Sequence, residues 1–95
     1  MLLFEWDTEK AKKNIIVHDV SFDEASTVFK DNLSLTIYDP MHSKEEDRLI
    51  LIGNSCKNRL LVIAHVERGD KIRIITARKA TKKEREQYEE NAKRS

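Results

Sequence analysis

Three residue types that build common functional sites are scarce in this 95-residue chain. The single cysteine, Cys56, rules out an intramolecular disulfide and is typical of proteins from a reducing cytosol. Only two glycines, Gly53 and Gly69, are present, which excludes a glycine-rich loop that cradles phosphate. The three histidines are isolated and lack the paired ligand spacing of a zinc site. We therefore expect no metal and no cofactor.

Long apolar runs are also missing. The longest, such as residues 60–64, are far shorter than the roughly 20 residues of a membrane-spanning helix. No signal-peptide pattern is visible at the amino terminus. The length predicts one domain over residues 1–95, and the composition predicts a soluble, cytoplasmic protein with no membrane partner.

Charge is abundant but balanced, with 18 basic and 17 acidic residues and a net charge of +1. A protein of this composition binds nucleic acid only if its charges are segregated, and residues 71–85 form a local basic cluster. Five basic side chains lie in or next to one predicted strand end: Arg73, Arg78, Lys79, Lys82 and Lys83. The cluster indicates a phosphate-binding surface.

The hydrophobic pattern predicts an α+β fold, with two N-terminal helices packed on an antiparallel sheet of about four strands and a C-terminal helix. Asp7 is the predicted N-cap of the first helix, which reaches residue 18, and a capping box at Ser21 begins the second. Alternating or apolar segments predict strands at residues 33–38, 48–53, 59–67 and 71–77. The loops between the last three are too short for parallel crossovers. Residues 2–6 are expected to be extended before the first helix.

A second capping box at Thr81 predicts the last helix, over residues 81–93. Its only apolar side chains are Tyr88 and Ala92, so an isolated helix would be marginal. We expect it to project from the domain or to be held by a partner.

Cleavage of RNA requires few catalytic groups from the protein, because the ribose 2′-hydroxyl is the nucleophile and arginines can neutralise the phosphate. The third and fourth predicted strands carry Arg59, Glu67, Arg68 and Arg73, followed by Arg78 and Lys79. Arg59, His65 and Glu67 are odd-numbered and share one strand face. Whether Arg73 joins them depends on the hairpin register at Gly69.

Each of these residues also has a structural interpretation. Strand arginines and lysines commonly protect sheet edges, and Glu67 opposite a basic residue is more often an ion pair than a base. His65 lies in an apolar run and is expected to be packed, whereas His42 is expected to be exposed unless its loop folds over a site. Lysines at a helix start oppose its dipole, and a bound anion at Lys82 and Lys83 would relieve this.

The chain contains a succession of motifs that extends from Phe4 to about Tyr88. They are Phe4-Glu5-Trp6-Asp7, Lys10-Ala11, Asn14, His18, Val20-Ser21-Phe22, Glu24-Ala25, Val28-Phe29, Asp39, His42-Ser43, Glu46, Arg48, Ile52-Gly53, Arg59-Leu60-Leu61, Glu67-Arg68 and Ile72-Arg73-Ile74-Ile75-Thr76-Ala77-Arg78-Lys79-Ala80. This pattern resembles the BrnT family of toxins from bacterial type II toxin–antitoxin systems. Two positions depart from the family pattern: Asp19 replaces a glycine and Thr76 replaces a serine.

The resemblance implies a RelE-like fold and a ribonuclease activity that arrests translation. It also implies neutralisation by a BrnA-type antitoxin, whose DNA-binding part represses the shared operon. The implied assembly contains two toxins and two antitoxins, so this chain would meet DNA only through the antitoxin.

Together these observations predict a metal-independent endoribonuclease toxin. The predicted catalytic residues are Arg59, Glu67, Arg73, Arg78 and His42, and the predicted RNA-binding residues are Arg68, Lys79, Lys82 and Lys83. The arginines would position and neutralise phosphate, while Glu67 or His42 would assist proton transfer. The alternatives are a non-catalytic antitoxin-binding module that acts in operon autoregulation, and an inactive relic of the toxin.

Overall fold

The structure, a computed structural model, describes residues 2–44 and 46–94. Three helices flank a five-stranded sheet. The elements in chain order are β1 (Leu3–Glu5), α1 (Thr8–His18), α2 (Phe22–Thr27), β2 (Leu35–Asp39), β3 (Arg48–Asn54), β4 (Leu60–Arg68), β5 (Lys71–Lys79) and α3 (Lys82–Lys93). No helix in this described part is long and apolar enough to cross a membrane.

The sheet confirms the α+β class but corrects the predicted strand count and direction. Its order is β1-β5-β4-β3-β2, and the extended N-terminal segment is a strand that pairs with β5 in parallel. The other three pairings are antiparallel, as predicted. The sheet is therefore mixed and five-stranded, not antiparallel and four-stranded.

Capping side chains start the helices where the sequence predicts. Asp7 accepts a hydrogen bond from the Lys10 amide at 3.0 Å, and Ser21 Oγ accepts one from the Glu24 amide at 3.0 Å. Both bonds satisfy amide groups that a helix start leaves without partners. Asp19 ends α1 in the left-handed conformation, with φ of 59°, a conformation that Asp tolerates better than most residues.

Each face of the sheet buries its own apolar cluster. On one face, α1 and α2 cover a core that includes Phe22, Leu61, Ile63 and Ile74. His65 lies on this helix-covered face, 2% exposed, with its ring 4.8 Å from that of Phe29, so the predicted packing role is confirmed. Burial lowers the pKa of His65, which keeps the imidazole neutral in the core.

The opposite face holds α3, and this corrects the expectation for the last helix. Tyr88 is buried in a second cluster with Ile52, Leu60 and Val62. Its hydroxyl donates to Asp31 Oδ2 at 2.7 Å. One buried aromatic side chain with a satisfied hydroxyl therefore fixes an otherwise polar helix on its own sheet.

The β4–β5 register decides which charged side chains lie together. Val66 pairs with Arg73, and Glu67 pairs with Ile72. Directly paired residues share a sheet face, so Arg73 and Glu67 point to opposite faces. The register shifts after Ala64, and Ile75 is left without a partner on β4. Gly69 adopts the positive φ of 61° in the connecting turn, a conformation that glycine reaches without strain.

Candidate functional site

A groove of about 420 Å³ lies on the sheet face opposite α1 and α2, at one end of the strands. We call it the strand-end groove. Its lining residues come from the β2–β3 loop, from the adjoining ends of β3 and β4 and from the middle of β5: Met41, His42, Lys44, Glu46, Arg48, Val66, Arg68 and Ile75. Basic side chains predominate in this lining.

A row of paired residues extends from the groove across the sheet. Arg48 pairs with Val66, which pairs with Arg73, which in turn pairs with Glu5. All four therefore share a face, and the two arginines flank a small apolar residue. The parallel strand β1, which was not predicted, brings Glu5 to the end of this row.

Glu5 and Glu46 position two of the guanidinium groups. Arg68 Nε donates to Glu46 Oε2 at 2.7 Å, and its Nη1 lies 3.6 Å from Glu5 Oε2. Arg73 Nη1 donates to the same Glu5 oxygen at 3.3 Å. The hydrogen bond from Arg68 lowers the pKa of Glu46 and keeps that carboxylate ionised. The carboxylates thereby hold the cations in place, while each guanidinium keeps further N–H donors.

Arg48 has a donor that the fold leaves unused. Its Nε is buried and has no hydrogen-bond partner among the described residues. A buried guanidinium N–H without an acceptor is costly to the fold, so its presence here sets Arg48 apart from the arginines that have carboxylate partners. The sequence prediction did not assign a role to Arg48. The available signal was a charged residue at the start of an otherwise apolar strand.

A hydrogen bond with Asp39 fixes the orientation of the His42 ring. Asp39 ends β2, and Pro40 begins a 3₁₀ turn that stacks residue 42 over residue 39. The distance from His42 Nδ1 to Asp39 Oδ2 is 2.9 Å. Because an ionised carboxylate only accepts, Nδ1 carries the hydrogen and Nε2 remains an acceptor in the neutral ring.

The loop around His42 is fixed by its own hydrogen bonds. Ser43 Oγ donates to the Asp39 carbonyl and accepts from the Arg48 amide at 2.8 Å. Met41, His42 and Lys44 of this loop border the strand-end groove, and a catalytic role of His42 stays a prediction. The structure thus brings His42, Arg68 and Arg73 to one region, joined by Arg48 and Lys44.

Arg59 lies elsewhere, in an ion pair on the helix-covered side. Its Nε donates to Glu24 Oε2 at 2.9 Å, and its Nη2 donates to Glu24 Oε1 and to the Asp19 carbonyl. Ser55 Oγ donates to the same carboxylate at 2.7 Å. The hydrogen bond from Arg59 lowers the pKa of Glu24. The arrangement ties the α1–α2 junction to the β3–β4 loop.

Arg78 forms a bidentate pair at the start of α3. Its Nη1 and Nη2 each lie 2.7 Å from a Glu84 oxygen. This pair lowers the pKa of Glu84 to about 2. Glu84 also completes the predicted capping box with Thr81.

The other predicted residues do not line the strand-end groove. Lys79 Nζ lies 3.8 Å from Asp19, on the helix-covered side. Lys82 and Lys83 are exposed in the first turn of α3. Glu67 is exposed on the face opposite the groove. The roles predicted for these residues stay predictions, and the geometry gives none of them a place beside His42.

Within the described chain, no cluster of three or more His, Cys, Asp or Glu residues could hold a metal ion.

Comparison with known proteins identifies the family. Residues 6–84 match the family model for the ribonuclease toxin BrnT of type II toxin–antitoxin systems. The chain belongs to the BrnT family. A structural comparison agrees: the crystal structure of the Brucella abortus ribonuclease toxin BrnT matches with a TM-score of 0.64 and 25% sequence identity. That match covers 86% of this chain and 100% of the Brucella chain. None of the curated proteins matches.

The BrnT match includes the whole strand-end groove. All its lining residues lie between positions 41 and 75, inside the matched segment. Most of α3 lies beyond the match, which ends at residue 84. The lining of the groove therefore lies within the segment that matches the BrnT family model.

Proposed function

We propose that this chain is a metal-independent endoribonuclease toxin and that the strand-end groove is its active site. One observation carries the proposal. The His42 imidazole, which is hydrogen-bonded to Asp39, lines the same groove as Arg48 and Arg68. Arg73 lies beside this groove. Membership of a ribonuclease toxin family supports the same reaction class.

The arginines supply the charge that a phosphate needs. The scissile phosphate would accept hydrogen bonds from the Arg48 guanidinium at the groove and from the free donors of Arg68 and Arg73. Guanidinium groups suit this task because they stay charged and present several donors in a fixed plane. Charge that develops on the phosphate oxygens in the transition state would be stabilised in place.

His42 is the group best placed to move the proton. Its Nε2 would accept the proton of the ribose 2′-hydroxyl, and Asp39 would stabilise the imidazolium that forms. The 2′-oxygen then forms a bond to phosphorus while the bond to the 5′-oxygen breaks. Water supplies a proton to the departing oxygen. The products are a 2′,3′-cyclic phosphate and a free 5′-hydroxyl.

The proposal includes the effect of the toxin in the cell and its antitoxin partner. Cleavage of RNA would inhibit translation in the cytoplasm, and a BrnA-type antitoxin would neutralise the toxin. Two toxins and two antitoxins would form the complex, with DNA bound only through the antitoxin. We propose that residues 1–95 act in it as one toxin domain. Membership of a type II toxin–antitoxin family supports an antitoxin partner.

The test is RNA cleavage by the purified chain with a chelator present. We expect cleavage with 2′,3′-cyclic phosphate ends, and an approximately 10²–10⁴-fold loss of rate in His42→Ala. Arg73→Ala is expected to lose a similar factor, because it removes a group that contacts the reacting phosphate. Induced expression of the wild type should arrest growth, and both variants should relieve the arrest.

Arg85→Ala is the matched control, because Arg85 is an exposed arginine on α3 and removal of its charge leaves the groove intact. Wild-type rates in both groove variants would reject the groove as the active site. A folded wild-type chain that binds its antitoxin but cleaves no RNA would instead favour the non-catalytic binding module.

A further inference from the structure

The C-terminal half of α1 exposes apolar side chains that the fold does not use. Ile15, Ile16 and Val17 are consecutive, and their exposed fractions are 48%, 84% and 61%. The hydrophobic effect favours covering such a patch, and contiguous apolar surface of this kind marks interaction sites. The patch lies on a helix whose opposite side packs against the sheet.

A second groove, of about 330 Å³, opens beside this patch between α1 and β5. We call it the α1 groove. Val17 and Ile75 are its aliphatic lining, and Lys10, Lys13 and His18 are its basic lining. No described acidic residue lines it. The groove thus combines an apolar anchor site with positive charge.

The buried polar side chain that lines this groove already has its hydrogen-bond partners. The buried Asn14 donates to the carbonyls of Val20 and Ala77 at 2.9 Å and 2.8 Å and accepts from the Ala77 amide at 3.2 Å. The Asn14 side chain thereby pairs with the backbone of β5 at Ala77, where β5 extends past its pairing with β1. The charges of the two lysines, in contrast, are not neutralised by a partner, because neither Lys10 nor Lys13 forms an ion pair in the part of the chain that the structure describes.

The chemistry of the α1 groove selects a peptide over RNA. RNA phosphates would pair with the lysines, but proteins that bind single-stranded RNA also supply aromatic rings on which the bases stack. The groove offers aliphatic side chains, Val17 and Ile75, with Ile16 exposed nearby. A protein segment with an aliphatic or aromatic anchor between carboxylates would satisfy both the apolar and the basic residues.

We infer that the α1 groove is the docking site of the antitoxin, which inserts an acidic segment with an apolar anchor. This inference rests on the proposed function for its partner. It also accounts for neutralisation, because Ile75 lines both the α1 groove and the strand-end groove. A segment seated on α1 therefore reaches the border of the proposed active site and hinders entry of RNA.

The experiment measures the affinity of the purified chain for its purified BrnA-type antitoxin, by titration calorimetry at low and high salt. Val17→Glu places a carboxylate at the apolar anchor site, and we expect its Kd to rise at least about tenfold. Lys13→Glu should raise Kd by about three- to tenfold and weaken its salt dependence. RNA cleavage by the two variants without antitoxin should stay at the wild-type rate.

Two controls match these changes. Leu33→Glu alters another exposed apolar side chain, on the loop before β2, and Lys12→Glu reverses a charge on α1 outside the groove. Both should bind the antitoxin as the wild type does. Circular dichroism and thermal unfolding verify the fold. Lys13→Glu keeps the test decisive if Val17→Glu does not fold, because the Lys13 side chain is exposed.

Wild-type affinity in Val17→Glu and Lys13→Glu would overturn the inference, even if the chain cleaves RNA. Loss of RNA cleavage in Lys13→Glu with unchanged antitoxin affinity would overturn it too, and would assign the groove to RNA. Weakened antitoxin binding by a chain that cleaves no RNA would support the docking site while the proposed activity fails.

Discussion

Replacement of Arg59 by alanine is predicted to destabilise the fold and to leave the chemistry of the folded protein intact. The guanidinium hydrogen bonds to the carboxylate of Glu24, whose side chain is 2% exposed. It also donates to the carbonyl of Asp19 at 2.9 Å. The variant leaves a buried carboxylate without its cation and a carbonyl without its donor.

The size of the effect follows from that burial. Removal of one partner from a buried ion pair costs about 3–5 kcal/mol. Two features place this site at the lower end: Ser55 still donates to Glu24 at 2.7 Å, and the Arg59 side chain is 27% exposed. We expect a loss of about 3 kcal/mol in unfolding free energy. For a chain of this size that is a fall in Tm on the order of 15 °C.

The pH dependence gives an independent check on the cause. In the wild type, Arg59 lowers the pKa of Glu24 below its ordinary 4.5, so this pair stabilises the fold above that pH and less as pH falls through the folded pKa. In the variant, burial without a cation raises the pKa of Glu24. The stability difference between the two proteins is therefore largest at neutral pH and shrinks as the pH falls toward the lowered pKa of Glu24 in the wild type.

Denaturant unfolding of wild type and Arg59→Ala at neutral and acid pH measures both quantities, and Arg85→Ala is the control for loss of an exposed arginine. A wild-type unfolding free energy in Arg59→Ala at neutral pH would refute the structural role. A deficit that grows on acidification would show that Glu24 is not its source.

Three further predictions address other parts of the account. Asn14→Ala should cost about 3 kcal/mol in denaturant unfolding, because two buried carbonyls and one amide lose their partner; a loss below about 1 kcal/mol would contradict the edge-capping role. Glu84, whose pKa is about 2, stabilises the fold above about pH 4.5, and this contribution is lost as pH falls toward 2. Glu84→Gln should therefore cost about 1–2 kcal/mol at neutral pH, after a discount for solvent screening, and almost nothing near pH 2, as thermal unfolding would show. Asp39→Asn should slow RNA cleavage about tenfold or more, because it disturbs the orientation of His42; an unchanged rate would remove Asp39 from the mechanism.

Local signals made much of the fold predictable. Asp7, Ser21 and Thr81 cap helices as expected, and the four predicted strands occur with boundaries shifted by at most two residues. Strand β1 was missed as a strand because three residues show no alternation and their partner, β5, lies far away in the sequence. The packing of α3 was missed because a single aromatic side chain, Tyr88, fixes it.

The candidate site was predictable only in part. His42, Arg68 and Arg73 were named from their chemistry, but the sheet face of Arg73 depended on a turn register that the sequence left open. Arg59 and Arg78 lie at strand ends, and that position is the basis of their predicted roles. Their buried or bidentate carboxylate partners, Glu24 and Glu84, become visible only in three dimensions. Arg48 was omitted because an unsatisfied buried donor is a property of packing.

One comparison tests the central claim most directly: the rate of RNA cleavage by Arg48→Ala and by Arg59→Ala, with a chelator, at a temperature where circular dichroism shows both to be folded. The strand-end groove predicts a loss of about 10²-fold or more for Arg48→Ala, and a rate within about twofold of wild type for Arg59→Ala. A wild-type rate in Arg48→Ala together with an inactive, folded Arg59→Ala would place the chemistry on the other side of the sheet and contradict the account.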